Sequence, residues 1–376
     1  METIPLFDLN FDETEIDAVV DVLKSKWISM GPKVNEFETN FAKRLNIKHA
    51  VAVNNCTAAL ALALQVSGVQ QGDEVILPSL TFVATANAVL QVGATPVFAD
   101  IVSTHDWTLC PKSVRSKITA KTKAIIPMHY AGYLADMKEF RSIADLNNLV
   151  IIEDGAHSPN SVREDYTPGQ FGDILCLSFF ANKNITTGEG GMLLTQNDHF
   201  FQKAKTGRAH GISSSSYERS LGQSFYEVKD WGWNFRMSDI NAAIGLAQIK
   251  KLDHDKSSRE KLVQLYRTEL KDSSYQIPFH SYQGASSHYI LPCLLNKEIS
   301  RTKIRNYLSD LQIQTSMHYP PVHLFQHYSK LKKTSLPITE DIGRRLLTLP
   351  LFAKMSKDQV IRVCDTLKAY SSESIS

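Results

Sequence analysis

The stretch 173–195 reads DILCLSFFANKNITTGEGGMLLT. It opens on an apolar run, DILCLSF (173–179), and closes on another, GMLLT (191–195). Neither run alternates polar with apolar residues, so each reads as a strand covered on both faces. Between them Lys183 stands among small polar residues, followed by paired threonines and then Gly188, Gly190 and Gly191. The glycines allow a close backbone approach. An amine therefore sits at the edge of a core, beside backbone that can come near a ligand.

The same apolar signature recurs upstream in HAVAV (49–53), EVILP (74–78), TPVFAD (95–100), AIIPMH (124–129) and LVIIED (149–154). Helical patterns such as TAALALALQVSG and TANAVLQVG lie between the early runs. Seven buried strands alternating with helices predict an α/β fold with a mostly parallel sheet. The last two strands need not follow strict βαβ order. Ahead of the sheet, residues 12–26 and 33–45 read as helices, the first with acids in its opening turn. After about residue 240 helical segments dominate, then SHYILPCLL offers a strand and EISRTKIRNYLSDLQ a helix. Two more helices are expected near 337–346 and 356–369. The expected division is a large domain over 1–245, including the N-terminal helices, and a smaller C-terminal α+β domain over 246–376. A long helical linker near 240–268 joins them.

A chain of 376 residues, 43% hydrophobic, has ample material for two such cores. Its 41 basic and 39 acidic residues nearly balance, and no basic run stands out, so nothing favours nucleic acid as a partner. Cys56, Cys110, Cys176, Cys293 and Cys364 are scattered without CxxC spacing. That argues against a disulfide scaffold or a metal site and for a reducing, cytoplasmic setting. The opening METIPLFDLNFDETE lacks signal-peptide character, and no apolar segment reaches membrane-spanning length.

In open parallel sheets, ligands bind at the carboxyl ends of the strands. Asp154 ends one strand and is either a solvent-facing cap or a fixed carboxylate for a buried cation or protonated ring nitrogen. His157, three residues on, is either a loop residue or part of the same site. Thr57 opens a helix after HAVAV, where it caps the helix or helps hold a phosphate at the unpaired amides. Ser178 leaves another strand and offers a second hydroxyl. Neither GxGxxG nor GxxxxGK[ST] is present in that turn, which disfavours a dinucleotide or P-loop reading. Lys183 is either one more solvated lysine or a Schiff-base lysine. Lys, Asp, Ser and Thr at successive strand ends suit a phosphorylated, electron-sink cofactor, and pyridoxal phosphate is the candidate.

SFFANKNITTGEGGML resembles the lysine signature of the DegT/DnrJ/EryC1/StrS family of sugar aminotransferases, within the fold-type I pyridoxal phosphate enzymes. WISMGPKVNEFE (27–38), NNCTAALALAL (54–64), PSLTFVATANAV (78–89), VIIEDGAHS (150–158), GWNFRMSDINAAIGLAQIKKLD (232–253) and TSMHYPPVHLF (315–325) fit in the right order. The resemblance implies that Lys183 carries the cofactor and that Asp154 holds its pyridine nitrogen. It puts His157 near the ring's 3-hydroxyl and stacks Phe82 on the ring. Thr57, the backbone amide of Ala58, and Ser178 would hold the phosphate. Asn234 would reach the phosphate of a neighbouring subunit's cofactor, which implies a homodimer with shared sites. Some relatives carry histidine at the lysine position and act as dehydratases; lysine here favours amino transfer.

The implied reaction takes an amino group from glutamate, as the expected donor, and gives it to a nucleotide-linked keto-sugar. The NITTGEGG form after Lys183 looks more like members acting at C4, such as perosamine synthases, than like members acting at C3. The alternatives are a C3 aminotransferase and a nonenzymatic pyridoxal phosphate-binding sensor. Arg208 and His210 in GRAHG, and His318 and Tyr319 in SMHYPP, are candidate substrate contacts, or else packing and loop residues.

Overall fold

The computed structural model describes residues 2–214, 216–222, 225–228, 230–331 and 334–373. The strands in chain order are β1 (His49–Val53), β2 (Glu74–Pro78), β3 (Thr95–Ala99), β4 (Thr122–Ile125), β5 (Val150–Asp154) and β6 (Val162–Arg163). They continue with β7 (Ile174–Ser178), β8 (Gly191–Thr195), β9 (Tyr275–Gln276), β10 (Gly284–Ala285), β11 (Leu291–Leu295) and β12 (Leu346–Leu349). The seven expected strands form one sheet in the order β1-β8-β7-β5-β4-β2-β3. Pairings from β7 through β5, β4 and β2 to β3 are parallel, while β8 runs antiparallel to both β1 and β7. The near-continuous Val, Ile and Leu of these strands is explained by burial on both faces. One cluster packs β1, β2 and β7 against the helices Cys56–Val66 and Val83–Gln91. On the other face, Phe37 and Phe41 of the helix Pro32–Leu45 meet Phe179, Met192 and Leu194.

The smaller C-terminal unit is α+β, built on the sheet β12-β11-β9. Its own core joins Leu262, Val263 and Tyr266 to Leu291, Cys293, Ile304, Leu347 and Val360. The segment around 239–271 is two helices, Asp239–Gln248 and Leu252–Glu269, with a short break between them. The second helix bridges the cores: Leu252 belongs to the large-domain cluster and Tyr266 to the C-terminal one. The N-terminus crosses over as well. Ile4 is buried in the C-terminal core and its backbone pairs with Gln312 and Gln314. The division expected from the sequence keeps residues 1–245 together, and Ile4 is a part of that span that docks on the C-terminal core. A four-residue stretch with one isoleucine carries no periodic signal of that docking. Among the described residues, no helix is long and apolar enough to cross a membrane.

Two neighbouring carboxylates end β5, and strand alternation sends them to opposite sides. Glu153 is fully buried and accepts three N–H donors. They are the amide of Gly172 at 2.7 Å, the amide of Gly169 at 2.9 Å and Nε2 of His129 at 2.8 Å. Nδ1 of His129 accepts from the Ala135 amide, so the ring proton that faces Glu153 sits on Nε2. Glu153 thereby ties the loop after β5 to the segment after β4. Glu153→Gln would place an amide NH2 among these donors. We expect it to lower stability by about 1–3 kcal/mol, read as a lower urea midpoint at unchanged m; an unchanged midpoint would refute the role.

Candidate active site

β1, β8 and β7 bring their ends into one row, because Val53 pairs with Gly191 and Gly191 with Ser178. Asp154 ends β5 beside them, opposite Cys176 of β7. The helix Cys56–Val66 starts at the same edge, capped by Asn55. Gly191 is required by that proximity. A Cβ there would lie 2.5 Å from the carbonyl carbon and oxygen of Asn55 and 2.7 Å from the Cys56 nitrogen. Gly188 has a different reason, a φ of +78° in the turn between Lys183 and β8.

A cavity of about 850 Å³ opens over this row. Thr57, Ala58, Phe82, Asp154, His157, Ser178, Lys183, His318 and Tyr319 all line it. Nine residues separated by up to 262 positions therefore share one space, as their motifs imply. Asp154 forms the floor. Its carboxylate is buried and accepts from Thr85 Oγ1 at 2.7 Å and from the Ala156 amide at 3.2 Å. A carboxylate has about four lone-pair sites, so acceptor capacity remains toward the cavity. This suits a protonated ring nitrogen. Thr57 and Ser178 stand at the helix start and the end of β7, where hydroxyls and first-turn amides suit a phosphate. One detail differs from expectation. The Ala58 amide donates to Oδ1 of Asn55 at 2.8 Å, so that donor is already engaged by the cap. The Cys56 and Thr57 amides, earlier in the same turn, have no intrahelical acceptor.

The side walls are aromatic. Phe82 lies at the rim, 54% exposed, with its ring 5.5 Å from that of Tyr319. His157 accepts the Ala131 amide on Nδ1, so Nε2 carries the proton and donates to the Tyr319 hydroxyl at 2.9 Å. Burial, with the Lys183 charge second, holds His157 well below the usual histidine range and His318 down to about 4. Burial likewise keeps the Tyr319 hydroxyl protonated, well above the usual range. His318 is fixed by Thr348, whose Oγ1 lies 3.1 Å from its Nδ1, and its carbonyl accepts from Tyr130.

Three predicted residues lie elsewhere. Arg208 is buried against Glu38 and donates to the Ala52 carbonyl at 2.7 Å, beneath a separate pocket. These contacts tie the helix Pro32–Leu45 to β1 and hold Arg208 apart from this chain's cavity, so the structure does not bring it together with the other expected substrate contacts. His210 is exposed with a left-handed φ of 62° and turns the chain where its amide meets Trp233, also outside the cavity. Asn234 is exposed too, while its neighbour Phe235 lines the cavity. Alternation in this extended segment points Asn234 away from its own chain's site.

Sequence reading missed Thr85, Asn182 and Tyr289. Thr85 lies within PSLTFVATANAV (78–89), where it reads as an ordinary helical threonine. Tyr289 lies in an apolar run that read as strand core, more than a hundred residues from Lys183, and no local pattern marks it.

Sheet order, domain arrangement and cavity together define the architecture of a fold-type I pyridoxal phosphate-dependent aminotransferase. The family model described as the DegT/DnrJ/EryC1/StrS aminotransferase family matches residues 10–368, and the chain belongs to that family. Membership implies pyridoxal phosphate as the cofactor. The spore coat polysaccharide biosynthesis protein SpsC of Bacillus subtilis is 37% identical over 364 residues, 94% of this chain and 93% of that protein. A GDP-perosamine synthase of Escherichia coli is 35% identical over 374 residues, covering 99% of this chain and 100% of that one. Among solved structures, Helicobacter pylori PseC, an aminotransferase involved in the biosynthesis of pseudoaminic acid, superposes with a TM-score of 0.92. The two are 30% identical, over 99% of this chain and 100% of that one.

The buried imidazoles make the fold acid-sensitive. Burial lowers His288 to about 3, as it lowers His318 to about 4, against 6.5 in the unfolded chain. Between those limits the unfolded state binds protons that the folded state refuses, so stability falls as pH drops from 6.5 toward 4. Asp239, raised by burial, works in the opposite sense. At pH 5 each such histidine costs about 2 kcal/mol relative to neutral pH. We expect the Tm of the cofactor-free protein to be lower at pH 5.0 than at 7.5, and His288→Gln to narrow the gap. Equal Tm values at the two pH settings would contradict the assignment.

Proposed function

We propose that the protein transfers an amino group from glutamate, through pyridoxal phosphate carried on Lys183, to C4 of a nucleotide-linked 4-keto-6-deoxyhexose. The observation that carries this reading is the convergence of Lys183, Asp154, His157, Thr57 and Ser178 on one cavity at the sheet edge. The C4 preference is supported by the form of the Lys183–Gly191 segment and by similarity to a protein named as a GDP-perosamine synthase. Similarity to a polysaccharide biosynthesis protein supports the sugar class.

When bound, the cofactor supplies a carbonyl that accepts the amino group and a ring that draws electron density from the adjacent carbon. Lys183 would anchor it in the resting protein, and its Nζ, when free, would carry the proton that amino transfer requires. Asp154 would hold the ring nitrogen and favour its protonated form. Its orientation is held by Thr85 and Ala156, so little rearrangement is needed as charge develops. His157 donates from Nε2 and stays neutral, so it adds no competing positive charge beside the ring. Phe82, at the cavity rim, would cover the open face of the ring. Thr57 and Ser178 would hold the phosphate, joined by Asn234 of the partner subunit in a homodimer.

The deciding experiment uses protein first loaded with pyridoxal phosphate and converted by glutamate. GDP-, dTDP- and UDP-linked 4-keto-6-deoxy sugars and a dTDP-linked 3-keto sugar are then supplied separately. The productive sugar should restore the starting cofactor absorbance, and NMR of the product should place nitrogen at C4. Nitrogen at C3 would overturn the position. Response to glutamate but to no sugar would overturn the substrate class. No response to glutamate would leave a cofactor-binding sensor.

Sharing of the sites is tested by mixing two inactive variants, Lys183→Ala and Asn234→Ala. Subunit exchange should give hybrid dimers in which one site has both wild-type residues, so activity should return to about a quarter of wild type for equal mixing. No recovery, despite exchange shown by mass, would place Asn234 in its own chain's site or in none.

A further inference from the structure

The Lys183 amine has an unusual resting place. Nζ lies 3.9 Å from the centroid of the Tyr289 ring, and among the described residues it makes no hydrogen bond or ion pair. The ring that receives it is fixed on several sides. The Tyr289 hydroxyl donates to Oδ1 of Asn182, the residue before the lysine, at 2.9 Å. Its amide donates to the Ala131 carbonyl and its own carbonyl accepts from Arg259. The His157 ring packs 4.2 Å away. Asn184, the residue after the lysine, donates to the Ser287 carbonyl at 2.7 Å. The loop bearing the amine and the segment bearing the ring are thus tied together on both sides of Lys183.

We propose that Tyr289 is a positioning residue for Lys183: its ring face holds the amine whenever the lysine is not bonded to the cofactor, and holds it most tightly once Nζ has taken up a proton. The inference rests on the reading of Lys183 as the cofactor-bearing lysine. A cation over an aromatic face is attracted by the ring quadrupole, more strongly where water is excluded. Tyr289 is only 5% exposed, so that condition holds. A long, flexible lysine released in mid-reaction would otherwise sample many rotamers. Held over the ring, it stays within one side-chain length of the place where it moves its proton. His157 and His318, the neighbouring imidazoles, are both kept neutral by burial and do not repel it.

The test separates the ring's electrons from its shape. Tyr289→Phe removes the hydroxyl and keeps the π face. Replacing residue 289 with 3,4,5-trifluorophenylalanine keeps nearly the same volume but withdraws the electron density that attracts the cation. In cofactor-free protein, acetylation of Lys183 by acetic anhydride at fixed pH is followed by peptide mass mapping, with Lys205 as an exposed internal reference. Only the free amine reacts. Loss of the cation–π contact should therefore raise the Lys183 rate by roughly three- to thirtyfold in the trifluoro variant, and leave Tyr289→Phe within about threefold of wild type. In the loaded enzyme, kcat should fall in the same order, with KM for glutamate little changed. A packing role alone would leave the acetylation rates of the Phe and trifluoro proteins equal, and that equality would overturn the proposal. Because the labelling needs neither cofactor nor sugar, it stands apart from failure of the proposed reaction. Cofactor trapped by borohydride on a lysine other than 183 would defeat that underlying reading instead.

Discussion

The end of β5 carries the constraint on which the site depends. Two consecutive carboxylates, Glu153 and Asp154, must both be buried, and the pleat sends them opposite ways. A buried carboxylate is tolerable only where donors surround it. Glu153 obtains its donors from Gly169, Gly172 and His129, and so fixes the loops on one side of the sheet end. Asp154 obtains two donors, from Thr85 and Ala156, and keeps capacity for a ligand. The contrast separates structural from functional burial within a single dipeptide. Slipping the strand by one residue would exchange the two environments and satisfy neither group.

The C-terminal unit completes what the sheet begins. Tyr289, His318 and Tyr319 close the cavity from that side, and the Arg259 guanidinium fixes the segment that carries Tyr289. Burial lowers Arg259 to about 10, and it donates to the carbonyls of His288, Tyr289 and Leu351. It stands on the helix Leu252–Glu269, which also bridges the two cores. Changes in how that helix sits therefore reach the cavity wall directly, through backbone carbonyls rather than through flexible side chains.

Much of this was legible in the chain itself. The seven strands are continuous apolar runs, the signal that burial on both faces leaves, and HAVAV, EVILP and GMLLT match their observed strands residue for residue. The strand-end positions of Asp154, Ser178 and Thr57 followed from the same reading, because a parallel sheet gathers such ends at one edge. Contributions that depend on long-range docking were not legible. Ile4 pairs with residues three hundred positions away, and Tyr289 looks like any core aromatic. Arg208 shows the converse: a charged residue in a motif-like loop is an internal brace for Glu38 and β1. Partner choice for an arginine is decided by what burial leaves within reach, and local sequence does not record that.

The row formed by Val53, Gly191 and Ser178 also bears on how the molecule folds. β8 is inserted between β1 and β7, so β1 must wait for a partner made some 140 residues later. Such non-local pairings form slowly, because a long loop must close before any contact rewards it. The helix start that suits a phosphate is seated against Gly191 itself. A partly assembled chain, with β2, β3, β4, β5 and β7 already zipped, would still lack that seat. Competence to hold a phosphorylated ligand thus arrives with the last strand of the sheet, and any such ligand stabilises the finished molecule while leaving its precursors untouched.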